Sequence, residues 1–274
     1  MPSISYMRES AWQVELFRII SAIDMRNLKL TTAYDGSDFC GWQVQPRLPS
    51  IQGALSSAIG RVTGENVLPQ GSGRTDAGVH ALAQVASFSI HSPIPVENLR
   101  NALNDLLPPS IRVLAVEEVP AEFHARKSAR AKTYRYRMYR GTICPPFLAR
   151  YVWHYPYPLD AITMERAASA AAGEHDFTSF AAVDPERSAE PDIRSHVRNI
   201  FDSHWALEDE ELIYTVRGNG FLHHMVRNLV GTFLLIGKGT LQPEDIGRIL
   251  RARNRSAAAA TAPAQGLCLV NVEY

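Results

Sequence analysis

Apolar positions along this chain fall into two kinds of repeat, and the switches between them divide it into two similar halves. From Leu28 to Tyr34 apolar and polar residues roughly alternate, as on a half-buried strand, and Asp35-Gly36 end the run. The spacing then turns helical at Ile51, Leu55, Ala58 and Ile59. This predicts a helix from Ser50 to Val62, with Pro49 and Ser50 at its start. A glycine-rich loop covers Gly71 to Gly78, and a strand is expected from Ala83 to Ile90. Pro93 and Pro95 introduce a second helix, Val96 to Leu107, stopped by Pro108-Pro109, and a strand from Ile111 to Val119 closes this half. The order is β-α-(β)-β-α-β.

The second half repeats it. Lys132 to Tyr139 alternates as a strand, and Asp160 to Ala172 has helical spacing with Gly173 as its stop. His196–Leu207 and Leu212–Gly218 form a hairpin turned at the acidic cluster Glu208 to Glu211. Helices are expected over His223–Ile236 and Pro243–Arg251, and a final strand over Gly266–Tyr274. The fold class expected is α+β: two ferredoxin-like (RRM-like) halves, 27–120 and 121–274, sharing a mostly antiparallel sheet. Helices should cover one side, with a catalytic cleft between the halves. Residues 1–26 read as an N-terminal extension, a loosely ordered arm or the product of an upstream start codon, since Met25 directly precedes the first strand. Ala181 to Pro191 is polar and aperiodic, a loop.

Composition narrows the class. With 274 residues, 46% of them hydrophobic, the chain can bury a full core. No apolar run reaches the roughly 18–20 residues that span a bilayer, and no secretory pattern opens the chain. Cys40, Cys144 and Cys268 are far apart and form no CxxC pair, which predicts a reduced, cytoplasmic protein without a disulfide framework or zinc site. The 28 basic residues balance the 28 acidic ones, yet Phe123 to Arg140 holds Arg126, Lys127, Arg130, Lys132, Arg135, Arg137 and Arg140 with no acid. Such a local patch can attract an anionic partner whatever the net charge.

Three segments could carry chemistry. In Gly71-Ser72-Gly73-Arg74-Thr75-Asp76-Ala77-Gly78-Val79-His80-Ala81 a single carboxylate, Asp76, sits on a tight loop between Arg74 and His80. The loop lacks the Gly-Lys-Ser/Thr of a phosphate loop and the strand–GxGxxG–helix order of a dinucleotide fingerprint. Asp76 reads as a nucleophile or base, or as a turn former bonded to its own backbone. In Lys132-Thr133-Tyr134-Arg135-Tyr136-Arg137 the alternation puts Tyr134 and Tyr136 on one face and Arg135 and Arg137 on the other. That suits base stacking with phosphate binding, and equally an amphipathic strand with its tyrosines in the core. In Phe221-Leu222-His223-His224-Met225-Val226-Arg227-Asn228 the two histidines, if helical, diverge by about 100°, and no acid or cysteine follows at ligand spacing, so no metal is expected. Arg227, four residues after His223 on an apolar helix, calls for a carboxylate partner or an exposed position.

These segments together resemble the tRNA pseudouridine synthase A family, which modifies the anticodon arm. The resemblance rests on Tyr34-Asp35-Gly36, Gly41-Trp42-Gln43, Gly73-Arg74-Thr75-Asp76-Ala77-Gly78-Val79-His80-Ala81 and Phe123-His124-Ala125-Arg126. It continues through Lys132-Thr133-Tyr134-Arg135-Tyr136, Asp176-Phe177-Thr178-Ser179-Phe180, Phe221 to Asn228, and Gly266-Leu267-Cys268-Leu269. The pieces occur in the family's order from residue 28 onward. Ser72 and Cys268 depart from its usual residues, residues 1–26 have no counterpart, and the loop 183–191 does not align.

The resemblance implies an isomerase that converts uridine to pseudouridine at tRNA positions 38, 39 and 40 without a cofactor. It makes Asp76 the catalytic carboxylate, a nucleophile toward uracil C6 or ribose C1′ or an aid to a glycal route, with Arg227 its ion-pair partner and Tyr134 the residue that stacks on the base and helps proton transfer. The target base must be flipped out of its stack. Arg74, His80, Arg126, Lys132 and Arg135 become candidate RNA contacts, and the partners implied are tRNA and a second copy of the chain, with no membrane. Two other classes compete on the residues alone. An RNA-binding module without catalysis has no use for a carboxylate that repels phosphate, and a nucleoside hydrolase normally needs two acids where one is well placed here.

Overall fold

The computed structural model describes residues 25–183 and 195–274. Most of the expected N-terminal extension, and the expected loop from residue 184 on, lie outside the described residues. In chain order the elements are β1 (Arg26–Tyr34), α1 (Ile51–Thr63), β2 (Gln70–Gly71), β3 (His80–Ile90), α2 (Val96–Leu106) and β4 (Ile111–Val119). The second half has β5 (Ala131–Tyr139), β6 (Trp153–His154), α3 (Ala161–Ala170), β7 (Gly173–Asp176), β8 (Val197–Glu208) and β9 (Glu211–Gly218). It ends with α4 (Met225–Gly237), α5 (Asp245–Ala252) and β10 (Leu267–Glu273).

Local chemistry explains several boundaries. Ser50 caps α1 by accepting a hydrogen bond from the Gly53 N–H, and Gly64 ends the helix in the left-handed region. Asp160 caps α3 by accepting from the N–H groups of Ile162 and Thr163. The β8–β9 hairpin turns where Asp209 takes a positive φ of 52°. Along β1 Leu28, Leu30, Thr32 and Tyr34 are buried, and along β5 Tyr134, Tyr136 and Met138 continue the expected alternation until buried Tyr139 breaks it at the strand's end. They join one core with Ile51, Leu55, Leu99, Leu103, Leu229, Val230 and Phe233 from the helices.

All strands belong to one mixed sheet in the order β4-β1-β3-β10-β5-β9-β8-β7, with β2 beside β3 and β6 beside β5. It is mostly antiparallel. β10 is the seam: it runs parallel to β3 through Cys268↔His80 and Leu269↔Ala81, and antiparallel to β5 through Leu267↔Tyr136 and Leu269↔Tyr134. The seam brings the start of β3, just after the glycine-rich loop, next to the tyrosine-bearing strand. No helix among the described residues is long and apolar enough to cross a membrane.

Two expectations change. β1 begins at Arg26, whose guanidinium bonds Glu118 on β4 and the carbonyls of Ser92 and Ile94, so this residue belongs to the sheet rather than to an extension. The apolar helix starts at Met225, not His223, because His224 precedes it with φ 59°, a left-handed conformation that an α-helix cannot contain.

Candidate active site

The Asp76 loop is built into place from behind. The Tyr34 hydroxyl, at the end of β1, lies 2.9 Å from Thr75 Oγ1, and the Trp42 N–H donates to the Thr75 carbonyl at 3.0 Å. Below, the Ser72 hydroxyl donates to Gln84 Oε1 at 2.7 Å, and Gln84 Nε2 donates to the Gly73 carbonyl at 2.9 Å. Gly41 sits against this loop with φ +95°, and a Cβ there would come within 2.6 Å of the Thr75 carbonyl oxygen. Tyr34-Asp35-Gly36 and Gly41-Trp42 therefore form the bracket that fixes the backbone on either side of Asp76.

The other half supplies the partners of the carboxylate. Arg227, in the first turn of α4, donates from Nη1 to Asp76 Oδ2 at 2.7 Å. Its Nε donates to the Ala262 carbonyl at 2.8 Å, and the Ala262 N–H donates back to the Arg227 carbonyl. The segment before β10 thus orients the guanidinium. It runs against α4 so closely that a Cβ on Gly231 would overlap the Ala260 carbonyl oxygen at 1.9 Å. Both groups of the Asp76–Arg227 pair are mostly shielded, their side chains 17% and 14% exposed, so the charges hold each other in a fixed geometry.

His223 and His224 also face Asp76, with Nε2 atoms 3.6 Å from Oδ1 and 3.3 Å from Oδ2 respectively. They do not diverge as expected, because they precede the helix and the left-handed turn at His224 brings their rings to 4.0 Å between centroids. The acid missing from the local sequence arrives from the other half. Burial holds the His224 imidazole below its usual pKa, against the raising influence of Asp76.

Asp76 opens on a cleft of about 740 Å³ lined by both halves. Tyr134 lies in its floor, only 7% exposed, and packs edge-on against Phe221 with centroids 5.1 Å apart. Burial pushes its phenol pKa up, with Tyr34 and Asp76 adding to the shift, so the hydroxyl stays protonated. Arg74, Arg126, Lys132 and Arg198 line the same cleft. Lys132 Nζ donates to the Ser72 carbonyl at 2.5 Å, and burial, followed by repulsion from Arg126 and Arg198, lowers its pKa to about 8. One carboxylate clamped by an arginine, an aromatic floor and a basic rim form a site that can take a planar, neutral ring attached to a polyanion.

Comparison with known proteins agrees. A family model described as tRNA pseudouridine synthase matches residues 30–126 and 167–274. The chain is 56% identical over 250 residues to tRNA pseudouridine synthase A of Solibacter usitatus, covering 91% of this chain and 100% of that one. It is 47% identical over 249 residues to the protein of the same name from Moorella thermoacetica, covering 90% and 99%. This chain belongs to the tRNA pseudouridine synthase family.

Within this family member, the structure brings Asp76, Tyr134, Arg227, Arg74, Arg126 and Lys132 together and leaves two expected contacts out. His80 is buried behind the loop: its Nδ1 accepts the Gly36 N–H at 3.1 Å and its Nε2 bonds the Arg150 carbonyl at 3.0 Å. Both ring nitrogens are used in joining segments, and His80 does not line the cleft. Arg135 points from the face of β5 opposite Tyr134 and does not line it either, which follows from strand alternation. The basic segment likewise divides between faces, and Arg137 is held by Glu211 through two 2.6 Å bonds. Arg198 on β8 escaped the sequence reading. Only the pairing of β8 with β9, Ile200 against Gly218, carries it beside Asn219-Gly220-Phe221 at the cleft. The Asp176 to Phe180 motif turns out to be scaffold: Phe177 and Phe180 are fully buried, and the Ser179 hydroxyl donates to the Ile249 carbonyl at 2.6 Å.

Proposed function

We propose that this synthase isomerises uridine to pseudouridine in the anticodon stem-loop of tRNA, at positions 38, 39 and 40, with Asp76 as the nucleophile. The observation that carries this is the Asp76–Arg227 ion pair at 2.7 Å, formed across the two halves at the mouth of the basic cleft. Arg227 holds and aims the carboxylate, which nucleophilic attack on a flipped nucleotide requires. Tyr134 offers its ring to the base. Its protonated hydroxyl serves as a hydrogen-bond donor and proton relay, since burial raises its pKa and disfavours the phenolate. Arg74 stands exposed beside the carboxylate, where it can fill the gap left by the flipped base, and Arg126, Lys132 and Arg198 hold backbone phosphates. The isomerisation breaks a glycosidic bond and rejoins the same base through C5, so it needs no cofactor.

In the same reading the chain consists of two ferredoxin-like halves, 27–120 and 121–274. The strand orders β4-β1-β3-β2 and β10-β5-β9-β8 support this, because each half repeats one β-α-β-β-α-β arrangement. The enzyme works as a homodimer in the cytoplasm. Exposed Ile143 and Phe147, 82% and 90% accessible in the β5–β6 connection, favour self-association.

The test is positional. A tRNA transcript carrying tritium at C5 of uridine, released as each uridine is converted, is incubated with the enzyme and the product mapped. Conversion confined to the anticodon stem-loop is expected. Release from other arms, with positions 38–40 untouched, would refute the assignment.

A further inference from the structure

Asp76, His223 and His224 place three ligand atoms within 4.8 Å of one another, and nothing in the isomerisation uses both imidazoles. Tetrahedral zinc, with bonds of about 2.0–2.2 Å, separates its ligand atoms by about 3.3–3.5 Å. Each histidine lies close to that spacing from one carboxylate oxygen, His224 Nε2 at 3.3 Å from Oδ2 and His223 Nε2 at 3.6 Å from Oδ1, so a small rotation of the carboxylate suffices to offer one oxygen to an ion shared by all three residues. A second feature also points to an ion. His223 Nδ1 donates to the Val183 carbonyl at 3.2 Å, which leaves Nε2 as the ring nitrogen that faces Asp76. A backbone carbonyl holding the remote ring N–H is also the usual support of a metal-bound histidine.

We propose that Asp76, His223 and His224 form a zinc-binding site whose occupation inhibits the enzyme. The ion takes the carboxylate that the reaction needs and sits in the cleft, so zinc and tRNA exclude each other. Arg227 leaves the site one competing positive charge, which keeps affinity below that of a dedicated zinc site and makes the ion removable by a chelator. Magnesium is rejected, because it prefers an all-oxygen octahedral shell over two imidazoles.

Binding is tested without RNA, so it stands apart from the assigned reaction. The full chain, stripped with EDTA, is titrated with Co²⁺ as a spectroscopic stand-in and then with Zn²⁺ by calorimetry. The expected result is visible absorption typical of tetrahedral cobalt, displaced by zinc, at about one ion per chain. His223→Ala, His224→Ala and Asp76→Asn should each weaken zinc binding by at least about tenfold, given that loss of a mere supporting contact costs about 10–100-fold. Circular dichroism checks that each variant is folded. In the activity assay, zinc should raise the apparent KM for tRNA, EDTA should restore it, and EDTA alone should leave turnover intact. Absence of saturable cobalt or zinc binding would overturn the proposal. So would binding unchanged in all three variants, which would assign the ion to a thiol such as Cys40. Site-specific binding without any effect on turnover would refute the inhibitory role.

Discussion

Asp76 has no special pattern around it in the linear sequence beyond its glycines; its character comes from Arg227, 151 residues away. The sequence left Arg227 either paired with a carboxylate or exposed, and the identity of the carboxylate required the resemblance. His80 shows the opposite case. A histidine four residues from Asp76 reads as a contact, but its ring nitrogens are consumed by Gly36 and Arg150, and no local signal reports that. Helical geometry would set His223 and His224 apart, and one left-handed residue cancels it. For Tyr134 the raised pKa argues that the hydroxyl acts as a neutral group. Tyr134→Phe keeps the ring and removes only that hydroxyl. Turnover should fall by about 100-fold or more while tRNA affinity, measured by filter binding, stays within a few-fold. Full activity of the variant would reduce Tyr134 to a stacking platform.

Among elements, those with strong periodicity came through almost unshifted. The helix expected over Ser50–Val62 is Ile51–Thr63, with Ser50 as its cap, and the strand expected over Lys132–Tyr139 is Ala131–Tyr139. Elements of two to four residues, such as β6 and β7, were invisible, because a run that short carries no period to read. The start of β3 at His80 rather than Ala83 was missed for a different reason: its first residues pair with β10, at the far end of the chain. The bracket around the catalytic loop gives a test at this scale. Gly41→Ala forces a left-handed φ onto a side chain and drives its Cβ into the Thr75 carbonyl. It should lower stability in urea unfolding by about 1–3 kcal/mol. Because the displaced group is the carbonyl beside Asp76, kcat should fall with it. A stability loss with unchanged kcat would show that the bracket supports the fold without positioning the nucleophile.

Across the whole molecule, the site exists only where segments distant along the chain meet. Asp76 comes from the loop before β3, Tyr134 from β5 and Arg227 from α4, and β10 joins these by pairing with both β3 and β5. The mostly antiparallel sheet was readable along the chain. The seam was not, since a parallel pairing through Cys268↔His80 and Leu269↔Ala81 leaves no local trace. Every chemical role assigned here hangs on the carboxylate at this junction. The most direct measurement is tritium release from C5-labelled tRNA by Asp76→Asn beside the unaltered enzyme, with tRNA binding measured in parallel. Asparagine keeps the size and a hydrogen-bond acceptor for Arg227 but removes the nucleophile. Release below about 1% of the unaltered enzyme, with binding within a few-fold, is the predicted result; substantial release by the variant would contradict the role of Asp76.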